Sequence, residues 1–296
     1  MIKWHKITKV NCMYRFETLE NIEIDILHQA FLNAFSDYQV KMEMPFWKFQ
    51  KMLERKGFAP GISMGAFEDG ALVGFIFNGL RKWNGRLTVH DLGTAVVPEH
   101  RKKGVTGGMF QRVRELVKPE NAECCLLEVI QSNTPAVNIY KKQGFEVTRA
   151  FTCFLMEKSK FHLHEPYQTR RLDKIDEVMW QQIRNFWDVP PSWQNSIDSI
   201  NAVSDTFAYS VVCSGADILG YGVIDRKTGD IPQIAVNKQH RHRGVARCIL
   251  SDLIKSTESG RIAIINVDAA SETLVDFCYS AGFEHMVDQY EMVLEL

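Results

Sequence analysis

Two twelve-residue stretches of the sequence resemble each other and divide the rest of the chain. The first reads Ala95-Val96-Val97-Pro98-Glu99-His100-Arg101-Lys102-Lys103-Gly104-Val105-Thr106. The second reads Ala235-Val236-Asn237-Lys238-Gln239-His240-Arg241-His242-Arg243-Gly244-Val245-Ala246. Both carry His-Arg-x-x-Gly-Val after an apolar run, one in each half of the chain. This recurrence predicts an internal repeat.

A Gly-Phe pair follows each stretch at nearly the same distance. Gly144 follows Gly104, and Gly282 follows Gly244, with almost equal lengths of chain between them. A chain of 296 residues is long for one compact domain and comfortable for two. We therefore expect tandem domains over residues 1–160 and 165–296, with a polar linker over residues 158–166.

The hydrophobic periodicity of the two halves predicts a similar order of elements in each. The first half is expected to contain strands at 13–16, 62–67, 71–78, 87–97, 124–129 and 145–156, and helices at 20–35, 45–55, 105–117 and 135–142. The second half is expected to contain strands at 207–213, 218–224, 231–236, 262–267 and 286–294, and helices at 176–186, 245–254 and 273–279. Gly93 suggests a bulge in its strand. The predicted class is α/β (α+β), with a mixed, mostly antiparallel sheet flanked by helices in each half.

Composition argues against several classes of protein. The formal net charge is −1, so no global positive field attracts nucleic acid or an anionic membrane. No run approaches 18 apolar residues, and no signal peptide is evident, so no membrane span is expected. Seven cysteines without a Cys-x-x-Cys pair suggest reduced thiols in the cytoplasm. Two His-x-His pairs lack further ligands at suitable spacing, so no metal is expected.

The repeated stretch places a glycine and several basic residues where a strand turns into a helix. A helix N-terminus has unpaired N–H groups and a partial positive charge, which together favour a pyrophosphate. Gly104 and Gly244 let the backbone approach such an anion closely. One such turn is equally consistent with an ordinary solvated loop, but two turns at corresponding positions of the two halves favour ligand binding. The basic residues are Arg101, Lys102, Lys103, Arg241 and Arg243.

These segments resemble the GNAT acetyltransferase family, whose loop pattern is Arg/Gln-x-x-Gly-x-Gly/Ala. Arg241-x-x-Gly244-x-Ala246 matches it fully, whereas the first copy departs at Thr106. The resemblance implies that both loops bind the pyrophosphate of acetyl-CoA. The cofactor-binding residues implied are Ala95, Val96, Val97, Arg101, Lys102, Lys103, Gly104, Val105, Thr106, Asn133, Val236, Arg241, His242, Arg243, Gly244, Val245 and Ala246.

The resemblance also implies catalytic roles in the first half. Tyr140 matches the family's general acid, although an ordinary core role is the alternative. Asn133 is also explained as a helix cap. Glu128 is the first choice for general base, because an ionisable side chain among apolar neighbours is unfavourable and suggests a functional role. His90, Asp91 and a water chain are the alternatives to Glu128.

The second half differs at the catalytic positions. Cys278 replaces Tyr140, and Ser271 replaces Asn133. Tyr279 is turned about 100° around the helix and should point elsewhere. We therefore expect catalysis in the N-terminal domain. The C-terminal domain is expected to bind CoA, to line the acceptor pocket or to have lost activity.

The expected function is acetyl-CoA-dependent N-acetylation of a primary amine on a small molecule or peptide. The alternative is a non-catalytic acyl-CoA-binding or sensor protein. No nucleic-acid or membrane partner is expected, and the protein is expected to be a monomer, with its domains as a pseudo-dimer, or a homodimer. Four aromatic residues are interpreted as core more readily than as an acceptor pocket: Phe35, Tyr38, Phe46 and Trp47.

Overall fold

The computed structural model describes residues 14–37 and 44–296, so Cys12, Met13 and Tyr38 lie outside it. The described part of the first half contains six strands and four α-helices in the predicted order. Its strands are β1 (Arg15–Thr18), β2 (Met64–Glu68), β3 (Ala71–Trp83), β4 (Arg86–Val96), β5 (Cys124–Ile130) and β6 (Glu146–Glu157). Its helices are α1 (Ile24–Ala34), α2 (Phe46–Lys56), α3 (Val105–Val117) and α4 (Thr134–Lys142).

The second half repeats this order with shorter helices at its start. Its strands are β7 (Thr169–Leu172), β8 (Phe207–Ser214), β9 (Asp217–Asp225), β10 (Gln233–Val236), β11 (Arg261–Asp268) and β12 (Glu284–Glu295). Its helices are α5 (Glu177–Ile183), α6 (Ile197–Ala202), α7 (Val245–Lys255) and α8 (Glu272–Ala281). No sequence pattern predicted β7, a four-residue strand whose side chains are all at least partly exposed.

Local backbone features agree with the residues that adopt them. β2 and β3 are joined by Asp69 and Gly70, which have φ values of 50° and 82°, as a two-residue hairpin turn with positive φ requires. In β4, Asp91 faces Asn78 and Gly93 faces Phe77, so one extra residue bulges out between them. The bulge predicted at Gly93 is confirmed.

In the described part of the chain, the strands form two sheets. The larger has the order β1-β2-β3-β4-β5-β12-β6-β11, and the smaller has the order β10-β9-β8-β7. Neighbours within the sheets run antiparallel except β4 and β5, which are parallel. The mixed, mostly antiparallel architecture flanked by helices is confirmed.

The two halves exchange their last strands. β12 lies between β5 and β6, so Glu291 sits opposite Glu128 on one side and Arg149 on the other. β6 in turn pairs with β11. The apolar cores follow the exchange, because Met292 packs in the core of the first half and Phe154 in that of the second. The division at residues 160 and 165 stays a prediction. The exchange shows that the core of each half includes a strand from the other half.

None of the helices in residues 14–37 and 44–296 combines the length and apolar character that a membrane crossing requires.

Candidate functional site

The two glycine loops have the same backbone conformation. Lys102 and Gly104 have φ values of 60° and 82°, and their counterparts His242 and Gly244 have 59° and 84°. Each glycine directly precedes the first residue of a helix, α3 or α7. Within the described residues, the N–H groups of the first three residues of either helix have no acceptor. Both loops therefore present unpaired donors at a helix N-terminus, as an anion site requires.

The positive φ of the two loop positions explains the presence of glycine there more directly than a lack of space for a side chain does. A Cβ at Gly104 would meet no atom within 4 Å, so its positive φ is what disfavours other residues there. A Cβ at Gly244 would lie 2.9 Å from Nε2 of His164, which belongs to the linker between the halves. The second loop is therefore more closely packed than the first.

The shared geometry extends to the arginine of each loop. Arg101 forms a bidentate ion pair with Asp37 at 2.7 and 2.9 Å, and it also donates to the carbonyl oxygen of Ala34. Arg241 donates to Asp188 at 2.8 Å and to the carbonyl oxygen of Phe186. Both guanidinium groups thus tie the loop to the end of the preceding helical segment. Much of the charge of both guanidinium groups is therefore paired with a carboxylate of the same half.

The remaining predicted loop residues take two kinds of position. The side chains of Val105 and Val245 are buried in the two cores, so at these positions only the backbone is available for contact with a ligand. Asn133 caps α4, accepting a 3.3 Å hydrogen bond from the N–H of Ala136. Three residues end β4 or follow it: Ala95, Val96 and Val97. The remaining predicted side chains around the loops are at least partly exposed: Lys102, Lys103, Thr106, His242, Arg243 and Ala246. Val236, which ends β10, is buried.

In the first half, β4 and β5 separate part-way along their length. Their parallel pairing ends at Asp91 and Leu127, although both strands continue beyond those residues. The hydroxyl of Tyr140 donates to Oδ2 of Asp91 at 3.4 Å. Tyr140 also packs edge-to-face against Phe145 within the core. Tyr140 is therefore both a core residue and a hydroxyl at the point of separation.

Asp91 is the carboxylate that this hydroxyl contacts. It is 9 % exposed, and its oxygens accept from Thr94 Oγ1 at 2.7 Å and from the N–H of Gly93 at 2.9 Å. Burial raises the pKa of Asp91 to about 6, against the lowering effect of these hydrogen bonds. The Tyr140–Asp91 pair therefore contains a group that titrates not far below neutral pH.

Glu128 lies one residue beyond the last β4–β5 pair, on the opposite face of the sheet from Asp91. Its Oε2 accepts a 2.9 Å hydrogen bond from Nε2 of Gln194, which comes from the second half. Its Oε1 is buried and has no hydrogen-bond partner among the described residues. Burial raises the pKa of Glu128. Three nearby side chains oppose that rise: Lys56, Asn266 and Ser192.

His90, a further alternative for the general base, belongs to the contact between the halves. Its ring stacks on Trp193 with centroids 4.8 Å apart, and its nitrogens have no hydrogen-bond partner in the described chain. Burial holds the pKa of His90 well below its usual value. A neutral imidazole against an indole is a packing element here.

The second half has a well-formed groove in the equivalent place. A cavity of about 610 Å³ lies between β10 and β11 and extends from the loop at Gly244 to Asn195 and Arg149. Arg149 comes from the first half through the exchanged strand β6. The cavity has the size that small-molecule sites commonly show.

The positions of the second half that correspond to Tyr140 and Glu128 carry different side chains. Cys278 is fully buried, and burial raises the pKa of its thiol to about 12. Asn266 follows Glu128 at the same sequence separation at which Cys278 follows Tyr140. Tyr279 is 53 % exposed and packs beside Phe154, so the prediction that it points elsewhere is confirmed.

The aromatic residues of the first helical segment are only partly core. Phe35 packs against the buried cluster that includes Phe31 and Phe49, as predicted. Trp47 is 42 % exposed, so its interpretation as a core residue is wrong. Its indole lies near the start of α2 and contacts the ammonium group of Lys227, which is 5.0 Å from the ring centroid.

Sequence reasoning missed the polar residues that the second half brings to the site. Gln194 and Asn195 lie on a buried turn before α6 and carry no motif signal. Asn266 has a φ of 56° and a side-chain nitrogen without a hydrogen-bond partner in the described residues. Asn266 could have been identified from the sequence, because the spacing of the repeat alone relates it to Glu128.

Comparison with known families agrees with this geometry in both halves. Residues 24–145 match the acetyltransferase (GNAT) family, and residues 178–293 match the acetyltransferase (GNAT) domain. The chain belongs to the GNAT acetyltransferase family. It is a tandem GNAT protein, since each half contains one such domain.

Two curated relatives match parts of the chain. Streptothricin acetyltransferase of Streptomyces lavendulae is 34 % identical over 84 residues, 28 % of this chain and 42 % of that protein. An N-alpha-acetyltransferase of Sulfurisphaera tokodaii is 40 % identical over 58 residues, 19 % of this chain and 35 % of that protein. The matched segments therefore span less than half the length of either relative.

Solved structures share the fold over nearly the whole chain. A GCN5-related N-acetyltransferase from Sphaerobacter thermophilus aligns with a TM-score of 0.71 at 15 % identity, covering 95 % of both chains. A tandem GNAT protein from the clavulanic acid biosynthesis pathway aligns with a TM-score of 0.71 at 13 % identity, covering 96 % of this chain and 98 % of that one. At these identities the similarity concerns the fold.

Proposed function

We propose that the protein transfers the acetyl group of acetyl-CoA to a primary amine of a small molecule or peptide, and that the N-terminal half carries the reaction. One observation carries the proposal. A tyrosine hydroxyl and a carboxylate, those of Tyr140 and Glu128, lie on opposite faces of the sheet where β4 and β5 separate. The glycine loop at Gly104 follows the same strand β4.

Acetyl-CoA fits this half, since in the described residues the loop offers unpaired N–H groups for a pyrophosphate and β4 has no strand partner on its β5 side beyond Asp91. When bound, it supplies the acyl group as a thioester. Glu128 accepts a proton from the acceptor amine, which must be neutral to attack. Tyr140 donates its hydroxyl proton to the departing sulfur, and Asp91 orients that hydroxyl. One N–C bond forms and one C–S bond breaks, giving an amide and the free thiol.

The second half is proposed as a CoA-binding domain without turnover. It has the same glycine loop and a large cavity. The positions of Tyr140, Glu128 and Asp91 are taken by Cys278, Asn266 and a third residue, Ile231, which offer neither a comparable acid nor a base. All the loop residues named from the sequence, with Asn133, remain proposed CoA contacts in their respective halves.

Further features support the acceptor class and the compartment. The names of the curated relatives, streptothricin acetyltransferase and N-alpha-acetyltransferase, are consistent with an amine acceptor. The cysteines that the structure describes are free and mostly buried, which suits a reducing compartment such as the cytoplasm.

The test is a thiol-release assay with acetyl-CoA and paired acceptors. Each primary amine is matched with the alcohol of the same carbon skeleton, and each peptide with its N-acetylated form. We expect thiol release with amines and free peptide N-termini, and products heavier by one acetyl group in mass spectrometry. Binding of acetyl-CoA without release for any acceptor would instead support the non-catalytic CoA-binding alternative.

A further inference from the structure

A short turn of the second half is buried against the catalytic groups of the first. It comprises Trp193, Gln194 and Asn195, which are 0 %, 8 % and 3 % exposed. The indole nitrogen of Trp193 donates to the carbonyl oxygen of Lys56 at 3.0 Å. Arg55 donates to the carbonyl oxygen of Gln194 at 3.0 Å. The turn is thereby fixed to the end of α2.

From this fixed turn, one side chain reaches the proposed general base. Nε2 of Gln194 donates to Oε2 of Glu128 at 2.9 Å. The other carboxylate oxygen, Oε1, is shielded from water and accepts no well-aligned hydrogen bond from the described residues, although the side chains of Asn266 and Ser192 lie near enough to lower the pKa of Glu128. A buried carboxylate oxygen without a donor is unfavourable, and a proton delivered by a substrate amine relieves that cost.

We propose that Gln194 is a positioning residue, which holds Oε2 of Glu128 and leaves Oε1 as the oxygen that takes the proton of the acceptor amine. The inference rests on the proposed function, because it assumes that Glu128 is the base. It gives the C-terminal half a direct part in the N-terminal reaction. The hydrogen bond crosses between the halves, so an isolated N-terminal half would lack it.

Other charged groups also face Glu128, and their effects differ in sign. Lys56 and Arg55 at the end of α2 favour the ionised carboxylate, whereas Glu291 on β12 opposes it. Burial raises the pKa of Glu128. An N–H donor favours the ionised form, so removing Gln194 should raise that pKa further.

The experiment compares Gln194→Met, which keeps a similar volume but removes the donor, with Gln194→Ala and with the control Gln181→Ala. Gln181 is an exposed residue of α5 whose side chain bonds only Glu177 among the described residues. Carboxyl titration of Glu128 is followed by NMR in the full-length protein with labelled glutamate. The pH profile of kcat/KM for acetyl transfer is measured in parallel, and circular dichroism verifies folding.

We expect Gln194→Met to move the Glu128 titration and the acidic limb of the profile to higher pH. We expect kcat to fall by about tenfold with little change in KM for acetyl-CoA. Adding Gln194→Met to Glu128→Gln should cost nothing further, since the two act as one unit. The control should match the wild type.

Two results would overturn the proposal. An unchanged Glu128 titration in Gln194→Met shows that the bond does not hold the carboxylate, whatever the turnover. Full turnover in Glu128→Gln would show that Glu128 is not the base, so Gln194 could not act through it. Thiol release in the same assay would show that acetyl transfer itself still occurs. Absence of thiol release in the wild type with any amine would instead contradict the proposed function.

Discussion

The hydroxyl of Tyr140 donates a hydrogen bond to Oδ2 of Asp91 over 3.4 Å, linking α4 to the last residue of β4 that pairs with β5. The hydroxyl is therefore held at the point where the two parallel strands separate. A proton donor in that position can meet the sulfur that departs in acyl transfer. The contact also explains why Asp91, rather than Glu128, is the carboxylate associated with the proposed acid.

Replacing Tyr140 with phenylalanine should lower kcat by about 10²-fold, because a positioned general acid contributes that order of magnitude. The ring stays in the core, so stability should change little. Steady-state thiol release measures the effect, and Tyr279→Phe is the matched control, since Tyr279 is exposed. A Tyr140→Phe protein with wild-type turnover would remove the proposed acid.

The buried carboxyl of Asp91 should make stability depend on pH. Its pKa is about 6 in the folded protein and 3.8 when unperturbed, so the native state binds more protons between these values. Stability from this group is therefore fully present below pH 3.8 and lost as the pH rises to about 6. Asp91→Asn cannot ionise, so its free energy of unfolding should rise by about 3 kcal/mol relative to that of the wild type as the pH increases across this range.

Urea unfolding at intervals from pH 4 to pH 7 measures this difference. Asp217→Asn removes a carboxylate from an exposed position on β9 and serves as the control. A constant difference between Asp91→Asn and the wild type over this range would show that burial does not perturb Asp91.

The repeat made most of the local structure predictable, because each signal depends on nearby residues. The glycine loops, the bulge at Gly93 and the outward turn of Tyr279 all follow from short motifs and helix geometry. The strand exchange does not, since β6 and β12 have similar length and equivalent positions after a Gly-Phe pair. Which strand fills which gap depends on how the halves pack. The contact between Gln194 and Glu128 depends on the same packing.

The exchange itself can be tested with two methionines of β12. Met292 is fully buried in the core of the first half, and Met286 on the same strand is 46 % exposed. Met292→Ala should destabilise the protein by about 2–5 kcal/mol, whereas Met286→Ala should change stability by about 0.5 kcal/mol or less. Hydrogen exchange then locates the damage. Loss of protection in α3 and β5 is expected, and loss confined to α7 would mean that each half keeps its own last strand.

The glycine loops give the sharpest test of CoA binding, because the same substitution is made in two equivalent backbones. An alanine at φ near +80° costs about 1–2 kcal/mol, which predicts a loss of affinity of roughly 5- to 30-fold at the altered loop. In Gly244→Ala the new Cβ would also lie 2.9 Å from His164 Nε2, so the loss there should be larger than in Gly104→Ala.

Calorimetric titration with acetyl-CoA measures both sites in the full-length protein. Gly61→Ala is the control, because that position has an ordinary φ and no atom within 4 Å of an added Cβ. We expect two sites in the wild type and in the control, with one weakened in each loop variant. Thiol release should fall with Gly104→Ala and persist with Gly244→Ala, because only the first half has Tyr140 and Glu128. The opposite pattern would place the reaction in the cavity between β10 and β11, with Arg149 and Asn266 at its inner end.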